Sequence, residues 1–221
     1  MHDLSGGPSA GLGFSISHVA PAEQGWVELL AMGLTFDCAG LRPGPSGPQP
    51  AAGTLLGLLD APLGDVVTIA AGPHLEEAPG MLPVLRVLAG LGARLCDLPG
   101  IKAVVWRPAH CWMTASYFSK VVGKWLAGGP FPALGLTTLE RDSDGSIYTR
   151  GLGLITGQEL RFAPDPKLGA ADVARIAVRL IHALIEADPL DVAHQFSGPS
   201  GETIDVAPQA GQAMLRVTIR R

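Results

Sequence analysis

The sequence predicts an α+β protein, with an antiparallel or mixed sheet and helices packed on one face of it. Two observations carry that reading. Short runs that alternate or are β-branched, such as Phe14-Ser15-Ile16-Ser17-His18-Val19, are separated by Gly- and Pro-rich turns, and three longer stretches repeat apolar residues at helical spacing. From Ile101 onward the succession is strand, helix, two strands, helix, strand, which is the β-α-β-β-α-β order of a ferredoxin-like unit in the C-terminal half.

Taken in order, residues 1–10 are rich in Gly, Ser and Pro and are expected to form a loose tail ahead of the strand 14–19. Trp26 to Phe36 is largely apolar and ambiguous between helix and strand. Residues 40–53 hold Gly or Pro at 8 of 14 positions, so they can join neither helix nor sheet. That run is the only candidate internal boundary in what is otherwise read as a single domain over 1–221. Asp65 to Ala71 reads as a strand. Met81 to Asp97 reads as a helix with Pro83 in its first turn, where the missing N–H costs nothing, and with Val84, Leu88, Leu91 and Leu95 on one face.

Ile101 to Trp106 is a buried strand bounded by Pro99-Gly100 and Pro108. A helix follows from about Thr114 to Leu126, with Phe118, Val121, Val122 and Trp125 inward and Lys120 and Lys124 outward. Leu134 to Arg141 and Ser146 to Arg150 flank Asp142-Ser143-Asp144-Gly145, a hairpin turn in which Gly takes the positive φ. Gln158 to Phe162 extends the sheet. Ala170 to Ala187 is the clearest helix, stopped by Asp188-Pro189. Its stripe is Val173, Ile176, Ala177, Leu180 and Leu184, and Asp172, Arg175, Arg179, His182 and Glu186 line the solvated side. Thr203 to Val206 and Leu215 to Ile219 are the last strands.

Composition removes several function classes. Charged residues make up 16% of the 221 and the net charge is −4, so the basic footprint of a nucleic-acid binder is missing. The start, Met1-His2-Asp3-Leu4, has an acid where an export signal needs a basic region, and no apolar run is long enough to span a bilayer. Three cysteines, Cys38, Cys96 and Cys111, with no CxxC spacing suit a reducing cytoplasm and buried thiols. Low charge with 47% hydrophobic residues favours an apolar surface and hence association.

Chemistry-bearing residues are densest at Trp106-Arg107-Pro108-Ala109-His110-Cys111-Trp112, between a strand end and a helix start. A helix N-terminus lowers a thiol pKa and attracts anions, so Cys111 beside His110 is a candidate nucleophile and Arg107 an anion anchor. Sequence neighbours usually point apart, however, and nothing else marks a triad, so no residue is assigned as catalytic. Asp142-Ser143-Asp144-Gly145 opens like a calcium loop, but the twelfth position is Gly153 where a Glu is needed, and no metal site is assigned. His2, His18, His74, His182 and His194 lack metal-ligand spacing. Gly11-Leu12-Gly13 and Gly123-Lys124 sit in the wrong context to cradle phosphate.

Between Leu98 and Arg221 the chain resembles a bacterial family known only as domain of unknown function 4261. The likeness is carried by Ile101 to Trp106 entering the helix near Thr114, by Asp144-Gly145-Ser146-Ile147-Tyr148-Thr149-Arg150-Gly151-Leu152, and by Gly201-Glu202-Thr203-Ile204-Asp205-Val206. The DG-x-x-YT-x-GL piece is its most specific part. The resemblance implies an α+β domain of intracellular bacterial proteins, brings no catalytic residues, and implies binding or immunity-type partners in toxin systems. The expected function is that of a cytoplasmic protein that binds another protein or itself without turnover. It needs no cofactor and has neither nucleic acid nor membrane as partner. The alternative is a small-ligand binder or enzyme at the Trp106–Trp112 loop, using Arg107, His110, Cys111 and Tyr148.

Overall fold

A computed structural model describes residues 13–43, 47–78 and 80–220. The tail expected over 1–10 and the middle of the Gly/Pro run, 44–46, lie outside the described residues. An α+β fold forms, with five α-helices and three sheets among the described residues. The chain divides into two compact units, Met1–Val105 with Trp112–Gly129, and Trp106–Cys111 with Pro130–Arg221. Residues 40–53 fall inside the first unit, so the division does not coincide with the Gly/Pro run.

The first unit begins with strands β1 (Ser15–Val19), β2 (Trp26–Ala31) and β3 (Leu34–Ala39). The apolar run Trp26 to Phe36, ambiguous in sequence, resolves into β2 and β3 because Met32 and Gly33 both take positive φ, 51° and 78°. Two consecutive left-handed residues make the tight turn whose twist matches an antiparallel hairpin. After β4 (Thr54–Leu56), β5 (Thr68–Ala71) completes an antiparallel sheet in the order β1-β2-β3-β5. Helix α1 (Leu82–Leu95) lies on it, packing Val84, Val87, Leu91 and Leu95 against Val27, Leu29, Phe36 and Cys38.

Strand β6 (Ala103–Trp106) leads through a 3-10 turn, Arg107–Ala109, into β7 (Cys111–Thr114). These two strands form a three-stranded sheet in the order β4-β7-β6. The sequence reading ran a loop over Trp106–Trp112 into a helix from about Thr114, whereas Cys111–Thr114 is strand and the helix begins at Ala115. Helix α2 (Ala115–Leu126) starts at Thr114, whose Oγ1 accepts the Tyr117 N–H at 3.2 Å, the ordinary N-cap arrangement. It packs on α1 where Gly92 leaves room for the Phe118 ring, and Arg86 lies over Trp125 at 4.9 Å while donating to the Leu126 carbonyl at 3.2 Å.

The second unit has a six-stranded sheet in the order β11-β12-β13-β10-β9-β8. After the short α3 (Ala133–Leu136), β8 (Thr138–Arg141) and β9 (Ile147–Arg150) form the hairpin expected around Asp142-Ser143-Asp144-Gly145, with Gly145 at φ 83°. The first strand starts later than the sequence reading had it, because Gly135 at φ 117° bends the chain before Thr138. A single turn, α4 (Gly153–Thr156), precedes β10 (Glu159–Phe162), and α5 (Ala170–Ile185) then crosses to β11 (His194–Ser197), β12 (Thr203–Pro208) and β13 (Met214–Arg220). Strand β13 pairs parallel to β10 and antiparallel to β12, so the sheet is mixed.

The ferredoxin-like order is not what this sheet adopts. Strand β6 pairs with β7 in the smaller sheet, and α2 packs on α1, so the strand and helix that would open a β-α-β-β-α-β unit are used in the first unit. Register puts Leu160 beside Leu215, Phe162 beside Val217, and Val217 beside Val206, so these buried residues share one face. Helix α5 buries Val173, Ile176, Ala177, Leu180 and Leu184, the stripe read from the sequence. Alternation in the strands and a 3.6-residue stripe in the helix together supply this unit's core.

Gly151 tests that packing. Its φ is 92°, and a Cβ there would stand 2.9 Å from the Cβ of Ala109 and from the carbonyl oxygen of Leu136. Gly157 also has a positive φ, 75°, but open space around it. Gly151→Ala is expected to destabilise the protein by about 3 kcal/mol in urea unfolding, combining left-handed strain with overpacking. Gly157→Ala pays only the strain, about 1 kcal/mol. Equal losses at the two positions would contradict the close approach at Ala109.

Candidate functional site

The loop that concentrates reactive side chains in sequence separates them in space. Trp106, Ala109, Cys111 and Trp112 are buried, whereas Arg107 and His110 are exposed. Cys111 is fully buried, and desolvation pushes its thiol up to about 11. An activated nucleophile needs the opposite shift, because the thiolate is the reactive form. In the first unit the Trp112 indole N–H donates to the Ala51 carbonyl at 3.0 Å, which fixes the ring in a structural role. His110 takes a left-handed conformation, φ 47° and ψ 42°, which closes the 3-10 turn through its N–H to the Arg107 carbonyl at 3.1 Å.

Tyr148 bonds to a carboxylate that the sequence reading did not name, Glu140, on which the charge of His110 also acts. Strand register places Glu140 directly opposite Tyr148. The Tyr148 hydroxyl donates to Glu140 Oε2 at 2.6 Å, and the Arg150 guanidinium forks onto both oxygens at 2.6 and 2.9 Å. The Arg150 hydrogen bonds, with lesser help from Tyr148 and from the charge of His110, hold the Glu140 carboxyl below its ordinary range. Bonding to that carboxylate raises the Tyr148 phenol. A bidentate pair of this kind is geometrically rigid, and both carboxylate oxygens are occupied by neighbours within the hairpin. The missed signal was the pattern Glu140, Tyr148, Arg150 across a turn whose length fixes the register.

The turn itself is pinned by a second fork. Arg161 Nη2 stands 2.9 Å from both Asp142 and Asp144, and the Ser146 N–H donates to Asp144 at 2.8 Å. Hydrogen bonding from Ser146 and then from Arg161 holds the exposed Asp144 carboxyl at about 2. The two acids that suggested a calcium loop therefore face a guanidinium, and no group of three or more His, Cys, Asp or Glu among the described residues could hold a metal ion.

One cavity of about 460 Å³ opens elsewhere in the second unit, between α5 and the chain just after β11. Arg175, Arg179 and His182, read from sequence as a solvated helix side, form its polar wall, and Phe196 stands among its apolar residues. Among the described residues no helix is long and apolar enough to cross a membrane. Comparison with protein-family models, with curated proteins and with solved structures returns no match for this chain.

Two measurements check these assignments. In thiol labelling of the folded protein near neutral pH, half-buried Cys96 reacts first, while Cys111, at about 11, and Cys38, whose burial pushes it to about 12, react only as the protein unfolds. Labelling of Cys111 as fast as Cys96 would reverse the reading of the loop. For Asp144 the folded value lies below the ordinary 3.8, so its stabilisation is fully present above that value and is lost as the pH falls through about 2. Asp144→Asn flattens the acid limb of stability against pH between about 4 and 2; an unchanged limb would remove the Ser146 and Arg161 bonds as its source.

Proposed function

We propose that this chain is a cytoplasmic association module without turnover of its own, and that its partner on strand β1 is a second copy of itself. The observation that carries the reading is the state of that strand. Among the described residues β1 ends the sheet β1-β2-β3-β5, and all five of its residues are exposed. It contains no Lys, Arg, Asp, Glu or Pro, the residues that normally blunt an edge. A bulge between Ile16 and His18 bends it, and Ser17 is tied back to Glu28 at 2.7 Å.

Register places Ile16 opposite Leu29 and Val19 opposite Val27, on the face that α1 covers further along the sheet. Each is nonetheless 51% exposed. Antiparallel pairing of β1 with β1 about a two-fold axis keeps that face on one side in both copies. It therefore brings Ile16 and Val19 of each copy together between the two α1 helices. The contact is self-complementary and carries no like charges, which is what a closed dimer requires. The three free thiols support the cytoplasmic placement. The likeness to domain of unknown function 4261 adds no catalytic residue to this reading, and an immunity-type partner would be a different occupant of the same edge.

The test is light scattering on the full chain. At about 100 µM the mass should be twice 22.9 kDa, and Ile16→Lys with Val19→Lys, both at wet positions, should return the monomer with an unchanged melting curve. A 22.9 kDa species at every concentration, a dimer that survives both substitutions, or a foreign protein held on β1 instead would overturn self-pairing.

A further inference from the structure

The half-open cavity beside α5 has a wall chemistry that selects a ligand. From its lining we propose that it binds a small organic anion, with a phosphate or carboxylate head and an apolar ring as body. This goes beyond the self-association reading and uses different residues.

Arg175 and Arg179 stand one turn apart on α5, with His182 three residues further, so all three fall on the same side of the helix. No Asp or Glu lines the cavity. The Arg179 Nε–H donates to the Ser197 carbonyl at 2.6 Å, which anchors the guanidinium at the end of β11 and leaves both terminal amino groups as donors. Arg175 gives one terminal nitrogen to Asp172 at 2.8 Å and keeps its other donors. A guanidinium's planar fork of donors suits the oxygens of a phosphate or carboxylate, and two of them line this wall. His182 Nε2 lies 2.9 Å from the Phe131 carbonyl, which can only accept, so Nε2 carries a proton and Nδ1 is the atom available to a ligand.

Apart from Ser197, the rest of the wall is apolar: Val178, Leu180, Ala183, Pro199 and the half-buried Phe196. A volume of about 460 Å³ is within the range of small-molecule sites. A hydrated inorganic ion would leave that apolar wall unused. A head-and-ring ligand pairs its anion with the arginines and its ring with Phe196, burying both kinds of surface at once.

Calorimetric titration of the full chain with phenyl phosphate tests the proposal, with inorganic phosphate and phenol as the half-ligands. Saturable one-site binding of phenyl phosphate, at least about tenfold tighter than either half-ligand, is expected. Arg175→Gln should weaken it about tenfold. Phe196→Ala should weaken phenyl phosphate and leave inorganic phosphate unchanged. Because Arg179 also anchors Ser197, Arg175 and Phe196 are the informative positions, and each variant's melting curve separates lost binding from lost fold. No saturation below about 10 mM, or equal affinity in wild type and Arg175→Gln, would overturn the site.

Discussion

The second unit rests on the way a partly buried carboxylate, Glu159, organises the backbone around it. Oε1 accepts the N–H groups of Gly151 and Gly153 at 2.8 and 2.9 Å, and Oε2 accepts the Thr149 hydroxyl at 2.6 Å. The Thr149 oxygen in turn accepts the Leu160 N–H at 2.7 Å. Desolvation outweighs these donors and pushes the Glu159 carboxyl up from its ordinary value, so the group is retained at some electrostatic cost. What it secures is the turn after β9. With that turn fixed, Gly151 presents a bare Cα to Ala109, and the Ala109 carbonyl receives the Thr138 hydroxyl at 2.8 Å. Removing one partner of such a network leaves the others buried and unpaired, which is why networks of this kind fail as a whole.

The motif Asp144-Gly145-x-x-Tyr148-Thr149-x-Gly151-Leu152 gains a physical reading from these contacts. Asp144 caps the turn, Gly145 supplies its positive φ, Tyr148 meets Glu140, Thr149 bridges Glu159 to Leu160, and Gly151 permits the approach of Ala109. Leu152, the motif's last position, is fully buried, so each position that made the segment stand out answers to a local structural need. A memorable sequence pattern can thus record how a hairpin is built rather than what it binds.

Legibility in the sequence followed the range of the interactions. Helices α1, α2 and α5 and the β8–β9 hairpin depend on neighbours within a few residues, and their periodicity and turn chemistry placed them correctly. The pair β2 and β3 was hidden because Gly33 sits inside a largely apolar run, where composition outweighs a single turn residue. Strand β7 was hidden because its partner β4 lies more than fifty residues earlier. In the site, His110 and Tyr148 were visible as residue types, but Glu140, the partner of Tyr148, becomes recognisable only once strand register is known. Arg175, Arg179 and His182 read as a wet helix side because the chain around Phe196 that closes over them is supplied from elsewhere. Cys111 looked poised for chemistry because sequence shows a neighbouring His and a helix start, whereas burial decides the state of the thiol.

The path of the chain imposes an order on synthesis. Residues 106–111 belong to the second unit, yet they are made before α2, which belongs to the first. As the chain leaves the ribosome, β6, β7 and α2 are complete while Ala109 still awaits Thr138 and Gly151, which emerge only some thirty to forty residues later. The segment around Trp106 and Ala109 is therefore greasy and uncovered for that interval, the kind of exposure on a nascent chain that chaperones recognise. Cutting the gene at residue 129 would make the same exposure permanent, because residues 1–129 hold the whole first unit while 130–221 lack residues 106–111 of the second.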